Sequence, residues 1–453
     1  MSERANPYLQ GNFAPVHEEV TVTVLPVVGR LPDELCGRYL RNGPNPVSVP
    51  EPSTYHWFTG DGMVHGIRLR DGRAEWYRNR WVRSTEVARA LGEAPRPGPV
   101  HAGMDFAPNT NVIGHAGRTF AIVESGARPY ELTDELETVG PCDFDGTLGG
   151  GYSAHPKRDP TTGELYAVSY FFGWGDEVEV TVVDQDARVR SARRITMGGP
   201  VSVHDTAITQ RYVVLLDLPV TFSLEAVAAG ASFPYRWQDD YRARVGLLDR
   251  DGGTTDVVWH DVEPCYVFHP VNAYDEPGGN GIVLDVVRHP SMFRTQLLGP
   301  AEGTPTLERW HLDGHGGTVK EERLDDRGQE FPRVDERRVG LPHRYGYAVA
   351  VARSGDVVGT ESVLVRHDFE RGTSATRSFG VGAGVGEAVF VPRRPDAAES
   401  DGWLLTLVHD PVSDTSALHL VNAEDLDGEA QAVVPLPRRV PAGFHGNWVP
   451  DPT

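Results

Sequence analysis

Four histidines stand in distinctive, widely separated contexts: Ser153-Ala154-His155-Pro156-Lys157, Ser202-Val203-His204-Asp205-Thr206, Val267-Phe268-His269-Pro270-Val271-Asn272 and Gly443-Phe444-His445-Gly446-Asn447-Trp448. No two share a local metal-ligand spacing, which rules out a site carried on one helix. If the fold repeats about every fifty residues, each histidine can occupy the same position of a different repeat, and all four converge on one axis. Structural zinc favours thiolates and catalytic zinc commonly takes three protein ligands. Non-haem iron usually takes two histidines and a carboxylate. Four neutral imidazoles add no charge, so a bound ion keeps its full 2+ and open coordination. That suits binding dioxygen beside an electron-rich apolar substrate.

A metal-bound imidazole needs its other nitrogen held, usually by a carboxylate or carbonyl. Three glutamates lie in strand-like, otherwise apolar contexts. They are Glu124 in Ala121-Ile122-Val123-Glu124-Ser125-Gly126, Glu330 in Glu330-Phe331-Pro332-Arg333-Val334 and Glu387 in Val385-Gly386-Glu387-Ala388-Val389-Phe390. A carboxylate there is costly unless paired, which points it inward.

These residues need a frame. The chain has 50 glycines and 35 prolines, spread throughout, which punctuate short runs rich in Val, Ile, Leu, Tyr and Phe. Such runs fall at 119–124, 164–172, 178–183, 212–216, 245–248, 281–287, 345–351, 388–391 and 403–408. Turn signals stand beside them at Asp71-Gly72, Asp251-Gly252-Gly253 and Ser354-Gly355-Asp356. Many short strands at regular spacing predict an all-β sandwich, barrel or propeller. With no linker to split 453 residues, a propeller spanning 1–453 as one domain is the best solution, with 1–36 as a lead-in. Segments near 81–100, 218–240 and 290–305 break the strand rhythm and are expected as helix or loop, capping one face over the axis.

The 64 acidic residues against 43 basic ones leave a formal charge of −21, which excludes a nucleic-acid partner and gives no electrostatic reason to bind anionic lipid. No apolar stretch is long enough to cross a bilayer, and the polar stretch from Met1 to Pro15 lacks a signal-peptide core. Three scattered cysteines, Cys36, Cys142 and Cys265, do not make a disulfide framework. A cytoplasmic protein is expected, peripheral to a membrane at most through a local apolar patch.

The four histidine contexts resemble, in order, the iron-ligand motifs of the carotenoid cleavage oxygenases, a family that includes apocarotenoid and lignostilbene dioxygenases. Phe58-Thr59-Gly60-Asp61-Gly62-Met63-Val64-His65 is similar to that family's Gly-Asp-Gly-Met signature, and Asn109-Thr110-Asn111-Val112 and Asn272-Ala273-Tyr274 also fit. The match runs from about residue 37 to 448. The resemblance implies a seven-bladed β-propeller with a helix-and-loop cap, Fe(II) on the axis and a hydrophobic tunnel above it. His155, His204, His269 and His445 would be the ligands. Glu124, Glu330 and Glu387 would orient three of them, leaving one histidine to find a different partner. The implied reaction adds O2 across a carbon–carbon double bond of a conjugated chain and cleaves it to two carbonyls, with no organic cofactor.

Lignostilbene-type members carry a lysine immediately before the first of the three glutamates, where it meets the substrate's phenolic hydroxyl. Here that position is Val123. The departure favours a carotenoid or apocarotenoid over a stilbene or phenylpropenoid. Nothing in the sequence singles out a polyene isomerase of the same family, and a propeller used only as a binding platform has no use for four axial histidines with carboxylate partners. Tyr152, Trp174, Phe268 and Phe293 are expected tunnel aromatics. The aromatic segment at 223–238 is expected to pack as cap, with a tunnel wall or a membrane-dipping patch as its functional reading. His65 and Cys265 are read as structural, and His289, His343 and His409 as surface or hydrogen-bonded. No protein partner is implied.

Overall fold

The computed structural model describes residues 6–106, 108–354 and 357–452, without the side chains of 351–361. Gly355 and Asp356, read as part of a turn, lie outside the described residues, as do residues 1–5 of the lead-in. Strands form seven sheets of four to six strands and one two-stranded ribbon, the blades of a seven-bladed propeller.

Blade 1 holds Thr21–Thr23, Gly37–Pro44, Gly62–Arg70 and Arg73–Trp81, and its innermost strand is Gly446–Pro450 from the far end of the chain. That strand pairs antiparallel with Gly37–Pro44, from Gly37↔Pro450 to Arg41↔Gly446, and closes the ring. Blades 2 to 6 follow in chain order, with innermost strands Asn111–His115, Lys157–Arg158, Ala207–Ile208, Tyr266–Asp275 and Gln329–Arg333. In blade 7, Gly384–Val385 and Val389–Pro392 both pair with Gly402–Asp410, while Val28–Gly29 pairs with Ala432–Pro435.

The sequence dictates this locally. In Glu177–Val183, β-branched residues recur on a strand buried along nearly its whole length, because each blade is covered on both faces by its neighbours. Asp71 and Gly72 have φ of 49° and 69°, the positive values a two-residue hairpin needs. The core therefore lies between blades. Tyr39, Ile67 and Tyr77 of blade 1 pack with Trp403, Leu405 and Leu420 of blade 7. Val178 and Val180 of blade 3 pack with Val213 and Leu215 of blade 4. Fully burying each such aliphatic side chain contributes about 1.5–3 kcal/mol.

Of the segments expected as cap, the first is strand to Trp81 and then a short helix, Thr85–Ala90, whose amino end is capped by Ser84 Oγ accepting from Val87 N. In the second, helix Leu224–Ala228 lies between Val220–Phe222 and Tyr235–Trp237, which pair as the ribbon. Tyr235–Trp237 is thus strand rather than helix or loop, as its two aromatics and backbone pairing favour. The third is irregular. It is held by Glu302, which accepts from Arg294 N at 2.8 Å and Thr295 N at 2.7 Å.

Candidate active site

Blades 1 and 3 to 7 each deliver one of the chemistry-bearing residues on, or next to, the inner strand. His155 and His204 sit just before the inner strands of blades 3 and 4, His269 lies within that of blade 5, and His445 immediately precedes the closing strand. Glu330 lies in the inner strand of blade 6, and Glu387 in the gap between the two inner strands of blade 7. Glu124 is the exception. Its strand ends at Ile122, short of the predicted 124, and Ser125 and Gly126 turn away with φ of 66° and 97°. A Cβ on Gly443 would lie 2.8 Å from Gly43 Cα, so the loop before His445 needs glycine to pack against the blade 1 backbone.

The four histidines meet. One nitrogen from each lies within 4.8 Å of the others, and all four residues are buried. His204 Nδ1 faces Glu124 Oε1 at 2.9 Å, His269 Nδ1 faces Glu330 Oε2 at 2.6 Å, and His445 Nδ1 faces Glu387 Oε1 at 2.9 Å. With Nδ1 donating to a carboxylate, the neutral ring presents the Nε2 lone pair to the common centre. His155 Nε2 and His269 Nε2 are buried without a hydrogen-bond partner. Buried nitrogens of this kind call for an electrophile, and a divalent metal ion fits them.

The electrostatics favour a neutral ring at three of the four histidines. Burial, reinforced by the other three rings, pushes His155 well below the ordinary imidazole value. Burial also lowers His269 and His445, against the pull of Glu330 and Glu387. For His204 the Glu124 carboxylate outweighs burial and the value rises. Burial alone would raise both Glu330 and Glu387. Instead His269 and His289 drive Glu330 well below the carboxylate range, while Arg333 and His445 bring Glu387 to about 2. Among the described residues no carboxylate faces His155. It borders a polar chamber of about 110 Å³ lined by Lys157, Asp205, Asn272, Arg333 and Asn447.

On the other side lies a cavity of about 620 Å³, reaching His204, His269 and His445 and walled by Phe58, Phe233, Phe268, Phe331 and Phe444. Phe58 is the hub, with ring centroids 5.4–5.9 Å from Phe233, Phe268, Phe293 and Phe444. Val123 is on the wall. Of the expected tunnel aromatics only Phe268 lines the cavity, with Phe293 packed behind it. Tyr152 is instead fully buried against Phe144, and Trp174 stacks under Arg194 with 3.5 Å from guanidinium to ring.

The motif asparagines act as clips. Asn109 donates to Phe58 O and Gly60 O, Asn111 to Ala154 O beside His155, and Asn272 to Arg338 O and Leu341 O. His65 bonds Tyr77 inside blade 1, and Cys265 is a buried thiol pushed up to about 12 by burial, so both are structural. Of the residues behind the site, His289 was expected as surface or hydrogen-bonded and proves hydrogen-bonded, while Arg333 went unread. His289 is buried and gives Nε2 to Glu330 Oε1 at 2.7 Å, and Arg333 reaches Glu387 Oε2 at 3.0 Å. Arg333 stands in the quoted Glu330 motif, so its position was visible but its target was not.

Fold and site together define a class: a β-propeller with a four-histidine centre on its axis, beneath an aromatic cavity. Residues 13–450 match the family described as "Retinal pigment epithelial membrane protein". The chain is 47% identical to the carotenoid cleavage oxygenase of Mycobacterium tuberculosis, over 99% of this chain and 98% of that one. It superposes on the lignostilbene dioxygenase of Pseudomonas brassicacearum with a TM-score of 0.88 at 28% identity, covering 98% of each chain. For cobalt-substituted Synechocystis ACO the TM-score is 0.84 at 28% identity, over 96% of this chain and 97% of that one. The chain belongs to the carotenoid cleavage oxygenase family and is an oxygenase.

Proposed function

We propose that this protein is a non-haem Fe(II) dioxygenase that cleaves a carbon–carbon double bond of a carotenoid or apocarotenoid to two carbonyl products. The observation that carries the reading is the convergence of four carboxylate-held or buried imidazoles at the end of an aromatic cavity. His155, His204, His269 and His445 hold the iron, and Glu124, Glu330 and Glu387 fix three of the rings. Fe(II), when bound there, would supply a site for O2 and the chemistry that splits the double bond into two carbonyls. The protein's own residues do the rest. Phe58, Phe233, Phe268 and Phe444 grip a flat polyene and exclude water from the scissile bond. Neutral imidazoles leave the ion its full charge.

Val123 supports a polyene, because it gives a phenolate neither a donor nor a positive charge. A stilbene or phenylpropenoid is the second reading, favoured by the 0.88 TM-score to a lignostilbene dioxygenase. Phe172 and Val227 line the cavity and are also 43% and 47% exposed, beside Leu224 at 77%. This apolar rim suits collection of substrate from a membrane surface. No helix among the described residues is long and apolar enough to span one. The test supplies an apocarotenal and a hydroxystilbene together to Fe(II)-loaded protein in air, with products identified by mass spectrometry. Two shorter polyene carbonyls are expected; aromatic aldehydes would transfer the enzyme to the second reading.

A further inference from the structure

The three carboxylates behind the histidines differ in what balances them. Glu124 gives Oε1 to His204, and its buried Oε2 has no hydrogen-bond partner. Glu330 is shared by His269, His289 and the Phe331 amide. Glu387 takes His445 Nδ1 and Gly446 N, and then Arg333 Nη1 at 3.0 Å. Among the described residues, Arg333 is the only lysine or arginine paired with any of the three.

Arg333 is also fixed. Its side chain is 13% exposed, with further bonds to Gly446 O, Asn447 Oδ1 and Glu336. Glu336 is 51% exposed, so solvent screens its charge. Lys157 and Asp205 cancel as an ion pair at 2.8 Å. In the shell of groups bonded directly to the three carboxylates, one guanidinium then stands against three negative charges around four neutral rings, while buried Arg41 acts on Glu387 only through space, bonding Pro441 O instead.

We propose that Arg333, acting through Glu387, is a positioning residue that sets the charge of this shell so that the iron is held in its divalent state. This rests on the reading of the histidines as an iron site. Without Arg333 the shell carries one more negative charge and favours the trivalent ion.

The test is a redox titration of the iron-loaded protein followed by electron paramagnetic resonance, which does not depend on turnover. Arg333→Met is expected to shift the balance toward the trivalent ion at least tenfold, a midpoint potential lower by about 59 mV. Arg333→Lys, which keeps the charge and loses the fork, restores most of that shift, and Glu336→Gln leaves the potential near wild type. Should Arg333→Met fail to fold, Glu387→Gln carries the test with the opposite sign and raises the potential. A wild-type potential in Arg333→Met, a shift as large in Glu336→Gln, or a fall in Glu387→Gln overturns the proposal while leaving the iron site standing. A wild-type protein that takes up no stoichiometric iron overturns both.

Discussion

Replacing Glu330 by glutamine tests how the site is held, because the structure dictates which bonds an amide can keep. Glu330 Oε2 accepts from His269 Nδ1 at 2.6 Å and from Phe331 N at 2.6 Å, and Oε1 accepts from His289 Nε2 at 2.7 Å. Glutamine offers one acceptor oxygen and one NH2. If the NH2 faces His269, that ring must accept at Nδ1 and carry its proton on Nε2, the nitrogen aimed at the centre, which forbids ligation. If the NH2 faces His289, that ring must move its proton to Nδ1, which is buried with no partner. The second arrangement keeps all three bonds, at the cost of an unpaired buried Nδ1–H on His289, and is expected to prevail over the first, which keeps only two. It makes neutral bonds where the carboxylate made charge-assisted ones, which contribute about 1.5–3 kcal/mol each, and weakens the donor strength of His269. Loss of such a partner lowers metal affinity by roughly ten- to a hundredfold. Glu124→Gln makes the contrast. Its Oε1 can still accept from His204, and its Oε2 has no bond to lose, so metal-free stability should hardly change. The assay is iron per chain after dialysis against graded chelator, with thermal unfolding of the metal-free proteins alongside. Glu330→Gln should lose iron at the lower chelator concentration and unfold earlier. If it retains iron like wild type, or if Glu124→Gln proves the weaker binder and the less stable fold, the hydrogen-bond reasoning is refuted.

Val123→Lys places a cation on the cavity wall beside Glu124 and is expected to raise turnover of a hydroxystilbene while reducing that of an apocarotenal, read as the ratio of products in the competition assay. Asp285 is fully buried with both oxygens 2.8 Å from Arg309. Burial would raise its carboxyl, but Arg309 and His343 hold it below the ordinary 3.8. Its stabilisation is therefore complete above that value and lost as pH falls through the lower folded one. Asp285→Asn should destabilise by about 3–5 kcal/mol at neutral pH, with the gap to wild type closing below about pH 4 in denaturant titrations. Deleting residues 446–453 removes the strand that closes blade 1 and the backbone after His445; loss of the cooperative unfolding transition is expected by calorimetry. Leu224→Asp should weaken co-sedimentation with neutral phospholipid vesicles without altering iron content.

The four histidines and three glutamates were legible because their chemistry restricts residue type: few side chains can ligate, and few carboxylates belong in apolar strands. The propeller was legible through the number of short strands and the spacing of the histidines, and its seven blades only through the family resemblance. What the sequence hid depends on register. Tyr152 and Trp174 are as aromatic as Phe58, yet which ring faces the cavity is decided by the turn of each cap segment and strand end. Arg333 shows the physics most plainly. On a regular strand, Glu330 and Arg333, an odd number of residues apart, point to opposite faces. Here Glu330 pairs with Val349 and Arg333 with Tyr347, so three steps on one strand oppose two on its partner. Such a bulge inserts one extra residue, Phe331 takes it up with φ of 54°, and Pro332 has no N–H to lose from the ladder. The bulge turns both residues to the same side, one carboxylate to His269 and one guanidinium to Glu387. A similar irregularity brackets Pro270, directly after His269. Proline beside the chemistry was in plain view, and its meaning is that the inner strands are bent there to aim more side chains at the axis than a regular pleat allows.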